Sequence, residues 1–246
     1  MLNIPEQYQV NQKIAPKTIL TGDLKPVDKK RLKSCLKSVY LTHQIQGETI
    51  PSYLDDRYRY EVILFLEIQM DTIKNAELAA PLFHRLFKSP CIILVHNGVQ
   101  GVVSLAAKRL SRNNDQEIVI EEQVVAPPQP LTSFRSPASI WGKTMDFNAI
   151  LNTSNKRGFY IEVMIKAFIA GYSSLYSRMQ EFLHTPVWYN STTVMTLFEK
   201  LDALRILSLQ KDKAVQTKDK VALNQQMKAV MKDLEEMLSL LLTTSQ

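Results

Sequence analysis

The sequence predicts an α+β fold: a mixed β-sheet with helices in the N-terminal domain, followed by an all-helical C-terminal region with a coiled-coil-like tail. Three observations carry this. From Tyr60 to Met70, Val62, Leu64, Leu66, Ile68 and Met70 alternate with Glu61, Ile63, Phe65, Glu67 and Gln69, the period-two pattern of a strand. The apolar arms Cys91 to His96 and Val99 to Ala107 flank Asn97-Gly98, the favoured pair for a two-residue type I′ hairpin. Near the end, Leu223, Met227, Val230, Leu234, Met237 and Leu241 recur at 4-3-4-3-4 spacing, a heptad seam.

Taken in chain order, residues 1–24 are polar, carry Pro5 and Pro16, and read as a packed arm. A helix is expected from Pro26 to about Gln44, with Leu32, Cys35, Leu36, Val39 and Tyr40 inward and Lys29, Lys33 and Lys37 outward beside Lys30. A short strand near Ile50 to Leu54 precedes the Tyr60 to Met70 strand. Ile73 to Phe87 is helical in pattern, and Pro81, which cannot donate a backbone bond, predicts a kink or a late start. The type I′ loop sets Val95 opposite Gln100 and Ile93 opposite Val102, with positive φ at both Asn97 and Gly98. It places Ile92, Leu94, Val103 and Leu105 on one buried face. The first arm is apolar on both sides and belongs at the centre of a sheet.

A polar turn, Ser111 to Gln116, leads into a strand from Ile118 to Val125. Four prolines between residues 126 and 139 mark a crossing loop. Phe159 to Leu183 is apolar almost all round, as a buried helix ended by Pro186 would be. Asn190-Ser-Thr-Thr193 then offers helix N-caps. Leu197, Leu201 and Leu204 extend the seam pattern upstream, but Gln210 to Lys220 is too polar to join it. That stretch holds no Gly or Pro, which favours one long exposed helix over a helical hairpin. The expected divisions are 1–135, an α+β domain; 136–190, a connecting helical segment; and 191–246, the helical tail.

Composition excludes several function classes. At 246 residues and 45% apolar, the chain can bury a core without metal or disulfide staples. Its seven glycines are under half the roughly 17 expected at average usage, and neither G-x-x-x-x-G-K nor G-x-G-x-x-G occurs. There is no G-x-S-x-G elbow, and His43, His84, His96 and His184 lack metal-ligand spacing. No cofactor and no metal is expected. Pro90 to Ala107, the most apolar stretch, is interrupted by His96, Asn97, Gln100 and Ser104, so no membrane span is expected. The N-terminus lacks the basic-then-apolar order of a secretory signal, and Cys35 and Cys91 are the only cysteines. A cytoplasmic location is therefore expected. The net charge of +6 permits nucleic-acid contact without demanding it.

Three groups of residues are functional candidates. Glu67-Ile-Gln69 has the spacing of a restriction-type nuclease strand, with Asp55 or Asp56 supplied from a short neighbouring strand. An Mg²⁺ ion held there would activate a water and stabilise the leaving oxygen. The competing reading is an edge-exposed polar face with Glu67 paired to a lysine. Lys29, Lys30, Lys33 and Lys37 are candidate phosphate contacts, set against an ordinary solvated helix face. The seam Leu223, Met227, Val230, Leu234, Met237 and Leu241 is a candidate interaction surface for a second copy or a partner helix.

A serial pattern runs through the chain: Ile4-Pro-Glu6, Val10-Asn11 with Lys13-Ile14, Pro16-Lys17, the Glu61 to Met70 strand and Pro90 to Leu94. It continues through Trp141, Asp146-Phe147, the Tyr160 helix, Leu201 to Leu209, Lys211, Lys218, Val221, Leu223-Asn224 and Leu234. In this order it resembles the bacterial domain-of-unknown-function family 4391. No single motif is diagnostic. The resemblance implies an accessory role in DNA-directed, restriction-like phage defence, where such genes neighbour those of a helicase and a DNA methyltransferase. It assigns no catalytic residue. The expected function is an accessory or assembly subunit that joins a helicase or methyltransferase, or a homodimer, through the tail. The alternatives are an Mg-dependent nuclease, or a non-catalytic DNA-binding module using the lysine face.

Overall fold

The computed structural model describes residues 3–21, 24–112 and 117–243, and the chain forms two compact units, residues 1–168 and 169–246. The first unit contains β1 (Gln9–Ile14), α1 (Pro16–Thr21), α2 (Pro26–Cys35), β2 (Leu36–Ile45), β3 (Tyr53–Leu54), β4 (Arg59–Tyr60) and β5 (Ile63–Met70). It continues with α3 (Ala76–Leu86), β6 (Cys91–His96), β7 (Gln100–Leu110), β8 (Ile118–Val125), β9 (Gln129–Pro130), α4 (Ile140–Thr144) and most of α5 (Lys156–Tyr172). The main sheet runs β1-β2-β5-β6-β7-β8, with β9 added on β7, and β3-β4 form a separate ribbon. Only β5 and β6 pair in parallel, joined through α3, so the sheet is mixed as the sequence predicts.

Alternation decides which face is core. Val39, Leu66, Ile68, Met70, Ile93, Val95 and Val102 form one buried cluster with Leu32 and Cys35 of α2 and Ala76, Ala79, Ala80 and Phe83 of α3. Two tyrosines close the ladder where β6 begins. The Tyr160 hydroxyl accepts from Ala106 N–H at 2.9 Å and donates to Cys91 O at 2.7 Å, standing in for a strand-to-strand rung. Tyr60 accepts from Lys108 N–H at 3.1 Å beside it.

Several expectations need correction. The helix from Pro26 stops at Cys35, and Leu36–Ile45 is a strand. Val-Tyr-Leu-Thr is β-prone, and pairing on both sides by β1 and β5 outweighs the helical spacing. The lead-in is not merely an arm, since Gln9–Ile14 is the sheet's edge strand. It is polar, with Asn11 at φ 51° inside a register shift between Gln9 and Gln12. The expected strand near Ile50 to Leu54 shrinks to Tyr53–Leu54. Helix α3 starts late, after a 3₁₀ turn at Ile73–Asn75, and keeps Pro81 inside it.

The hairpin turn sits one residue further on than predicted. Val95 pairs with Val102 and His96 with Gly101, so Gly98 and Val99 are the central pair. Positive φ occurs at Gly98 (94°) and not at Asn97. The Asn97 side chain drives the shift, because Oδ1 accepts from both Val99 N–H and Gln100 N–H. Moving the pairing by two changes the partners but keeps the faces: Ile92 pairs with Leu105 and Leu94 with Val103, so the four residues share one face as expected. Of the polar turn expected at Ser111 to Gln116, residues 113–116 lie outside the described residues.

The second unit is helical. The buried helix expected to reach Leu183 ends at Tyr172. The apolar pattern continues as 3₁₀ turns at Ser173–Leu175, Met179–His184 and Pro186–Tyr189. Met179, Phe182, Val187 and Trp188 are buried in them, so the pattern reported burial and not helix. Pro186 opens a turn instead of ending a helix. Two helices follow, α6 (Ser191–Lys213) and α7 (Thr217–Thr243), with Asn190 Oδ1 capping Thr193 N–H.

These two helices form a hairpin and not one long rod: α7 folds back on α6, and Lys200 pairs with Asp233 at 2.6 Å. Ala214 reverses the chain in an extended conformation (φ −68°, ψ 130°) open to any residue, so neither Gly nor Pro is needed. The seam is thereby covered within the chain: Met227 and Leu234 are buried, and Leu223, Val230, Met237 and Leu241 are half-buried. Leu238, off the heptad, is fully buried with them. Among the described residues no helix is long and apolar enough to cross a membrane.

Candidate functional site

The sheet face opposite the α1–α3 core carries the candidate site. Tyr40, Glu67, Leu94 and Val103 lie in one cross-strand row, and Gln69, His96 and Gly101 in the next. Above them is a half-open cavity of about 180 Å³. Its walls are Phe65, Ile92, Leu94, Val103, Phe134, Trp141 and Met145, with Thr42, His43, Glu67 and Arg135 as its polar members. A cavity of about 150 Å³ admits a benzene ring, so this one has room for a small ring or an apolar side chain. Phe134 and Trp141 pack against each other with centroids 4.8 Å apart and their planes tilted by 55°. Gly101 makes room for them, since a Cβ there would stand 2.9 Å from the Phe134 ring.

Glu67 is held from two sides. His96 Nε2 lies 3.1 Å and Arg135 3.3 Å from its Oε1. Gly98 N–H donates to His96 Nδ1 at 3.2 Å, which leaves the ring proton on Nε2, aimed at the carboxylate. The hydrogen bond from His96, together with the charge of Arg135, holds the Glu67 carboxyl below its ordinary range despite partial burial. It is therefore an anionic acceptor and not a proton donor at neutral pH. His43, facing the same cavity, is pushed down by burial, so its ring is neutral. Its buried Nδ1 has no hydrogen-bond partner among the described residues. The lining, apolar with a carboxylate held by His96 and Arg135 and a neutral imidazole at its edge, is of the kind that suits a small apolar group carrying a hydrogen-bond donor.

The predicted residues are only partly brought together. Glu67 and Gln69 do share this face, but Gln69 accepts from the Ser38 hydroxyl at 3.3 Å. Asp55 and Asp56 are exposed in the separate β3–β4 ribbon. There Asp55 Oδ1 caps Arg57 N–H and Tyr58 N–H at 2.8 and 2.6 Å. Across β2 the neighbour of Glu67 is Tyr40, not an aspartate. Among the described residues no group of three or more His, Cys, Asp or Glu is placed to hold a metal ion. Lys29, Lys30 and Lys33 lie on α2, whereas Lys37 is on β2 and pairs with Asp71 at 2.9 Å, so the four do not share one helix face.

Sequence reasoning missed Arg135, Trp141 and Phe134, which the proline-rich crossing delivers to the sheet. The available signal was Phe134-Arg135 within the crossing loop and Trp141 just after it on α4. Cys35 and Cys91 are buried and free.

A family model described as "Domain of unknown function (DUF4391)" matches residues 2–234. No curated protein and no solved structure matches the chain significantly.

Proposed function

Because the chain belongs to the DUF4391 family over nearly its whole length, we propose that it is an accessory, assembly-type subunit of a DNA-directed, restriction-like defence system in the cytoplasm. Its partners in this reading are a helicase and a DNA methyltransferase. One observation carries the reading. With the seam consumed by α6, the reversal end of the hairpin still presents Leu209, Val215 (93% exposed) and Val221 to solvent. Lys211, Lys213, Lys218 and Lys220 outnumber Asp212 and Asp219 in the same stretch of chain. Apolar side chains inside a charged rim are the anatomy of a protein-docking surface, and the lysines suit an acidic-rimmed partner. The Mg-dependent nuclease reading draws less support, because Glu67 already serves His96 and Arg135.

The test is co-expression of the full chain with a candidate helicase and a candidate DNA methyltransferase from the same genome, read by size exclusion with light scattering. Stoichiometric co-elution is expected. Leu209→Glu with Val221→Glu should abolish it while the melting transition stays unchanged. Separate elution, or co-elution untouched by the double variant, overturns the proposal.

A further inference from the structure

A second cleft lies at the far end of β7. It is small, about 80 Å³, and is lined by Arg59, Glu61, Lys88, Ser89, Lys108 and Arg109 together with Leu110 and Ile118. Four cations therefore face one carboxylate. The charge is only partly answered nearby: Arg59 lies 3.5 Å from Glu61, and Arg109 3.2 Å from Glu121. Lys88 is exposed on the α3–β6 connection and makes no ion pair with a described residue.

Lys108 is the unusual member. It is 3% exposed, in a strand otherwise apolar from Val102 to Ala107 apart from Ser104. Its ammonium donates to Phe87 O at 2.5 Å and Ser89 O at 2.8 Å, both neutral carbonyls. No carboxylate among the described residues pairs with it. Burying an ammonium without a counter-ion is costly. The neighbouring Cys91 thiol cannot serve as one at neutral pH, because burial pushes it up to about 11. The volume suits a few waters or one tetrahedral oxyanion.

We propose that this cleft binds a phosphoryl group, with Lys88, Arg59 and Arg109 as the contacting cations and Lys108 supplying buried positive charge behind them. The inference does not depend on the protein partnership proposed above. Lys108 also ties the Phe87 and Ser89 carbonyls on either side of Lys88 to β7, so the same residue that charges the cleft fixes its rim. A phosphoryl group can arrive as free phosphate, as a nucleotide or as part of a polynucleotide backbone, and the chemistry recognised is the same.

The test titrates the full chain with two probes, inorganic phosphate and a labelled single-stranded oligonucleotide, in low salt. Both are expected to bind and to compete. Lys88→Glu with Arg59→Glu, two exposed positions, should weaken both by about tenfold or more. Charge reversal at Lys30 and Lys33 on α2 serves as the matched control and should leave both within about twofold. Phosphate binding alone, lost in the cleft variant, supports the site with free phosphate or a nucleotide as its source. Oligonucleotide binding alone, lost likewise, supports a backbone phosphate. Binding that survives the cleft variant, equal loss in the α2 control, or no binding of either probe overturns the proposal.

Discussion

His84 is fully buried on α3, with Nε2 3.1 Å from the Ser104 hydroxyl. Burial, helped by the charge of Lys108, lowers its pKa well below 6.5, so the folded protein keeps the ring neutral. Above that value both states are neutral and His84 adds no pH dependence. Below it the unfolded chain takes up a proton that the fold refuses, so stability falls as the pH drops. Urea midpoints should therefore fall between about pH 7 and pH 5, and the slope should shrink in His84→Gln. Glu67 has the same sign in a more acidic range. Its folded pKa lies below 4.5, so its contribution is present above that value and disappears as acid protonates the folded state. Arg135 is mostly exposed, so Glu67→Gln should cost about 1 kcal/mol or less at neutral pH and flatten the acid limb. Glu162 differs again. It is buried 2.6 Å from Lys166 and accepts from Leu151 N–H and Asn152 N–H. Glu162→Gln leaves the lysine's charge uncompensated and should cost about 3–5 kcal/mol by urea unfolding.

At the scale of elements, the outcome turned on which force acted on each segment. Strands β5, β6, β7 and β8 were legible because a half-buried strand must alternate and a central one must be apolar on both sides. The β2 strand was hidden, since Leu32, Cys35, Leu36, Val39 and Tyr40 satisfy a helical stripe as well as an alternation broken by bulges at Leu36/Ser38 and Leu41/His43. Tertiary pairing made the choice, and one chain's local spacing holds no record of it. The hairpin turn moved because one asparagine side chain offered two hydrogen bonds that the dipeptide rule does not count. Gly98→Ala should thus cost about 1–2 kcal/mol, through its φ of 94°, in thermal melts. In the tail, Leu234 is fully buried, so Leu234→Ala should cost about 2–5 kcal/mol, and a variant within about 0.5 kcal/mol of wild type would show that the hairpin does not persist in solution.

Across the whole molecule, fold class and core were readable, whereas the clefts were not. The polar members of both are drawn from places far apart in sequence: Glu67, His96 and Arg135 for one, Arg59, Lys88 and Lys108 for the other. Apart from Glu67, marked by its spacing to Gln69, and a lysine standing in the apolar run of β7, each residue is unremarkable in its own neighbourhood. Periodicity reports burial, and burial builds the scaffold, but a site is a meeting of long-range partners that no window of sequence contains.

The first strand carries a consequence of a different kind. A sheet's outermost strand offers unpaired amides to any extended chain that drifts past, which is how ordered proteins begin to polymerise. Here that position belongs to Gln9–Ile14, a polar stretch with Lys13 on it. Asn11, in left-handed backbone within a register shift, bends its hydrogen-bonding groups out of line. The rim is thus a poor template, and crowding the protein should yield reversible contacts instead of fibrils. Asn11→Val, which favours a straight extended strand, should shorten the lag before thioflavin-positive aggregates form on prolonged warming.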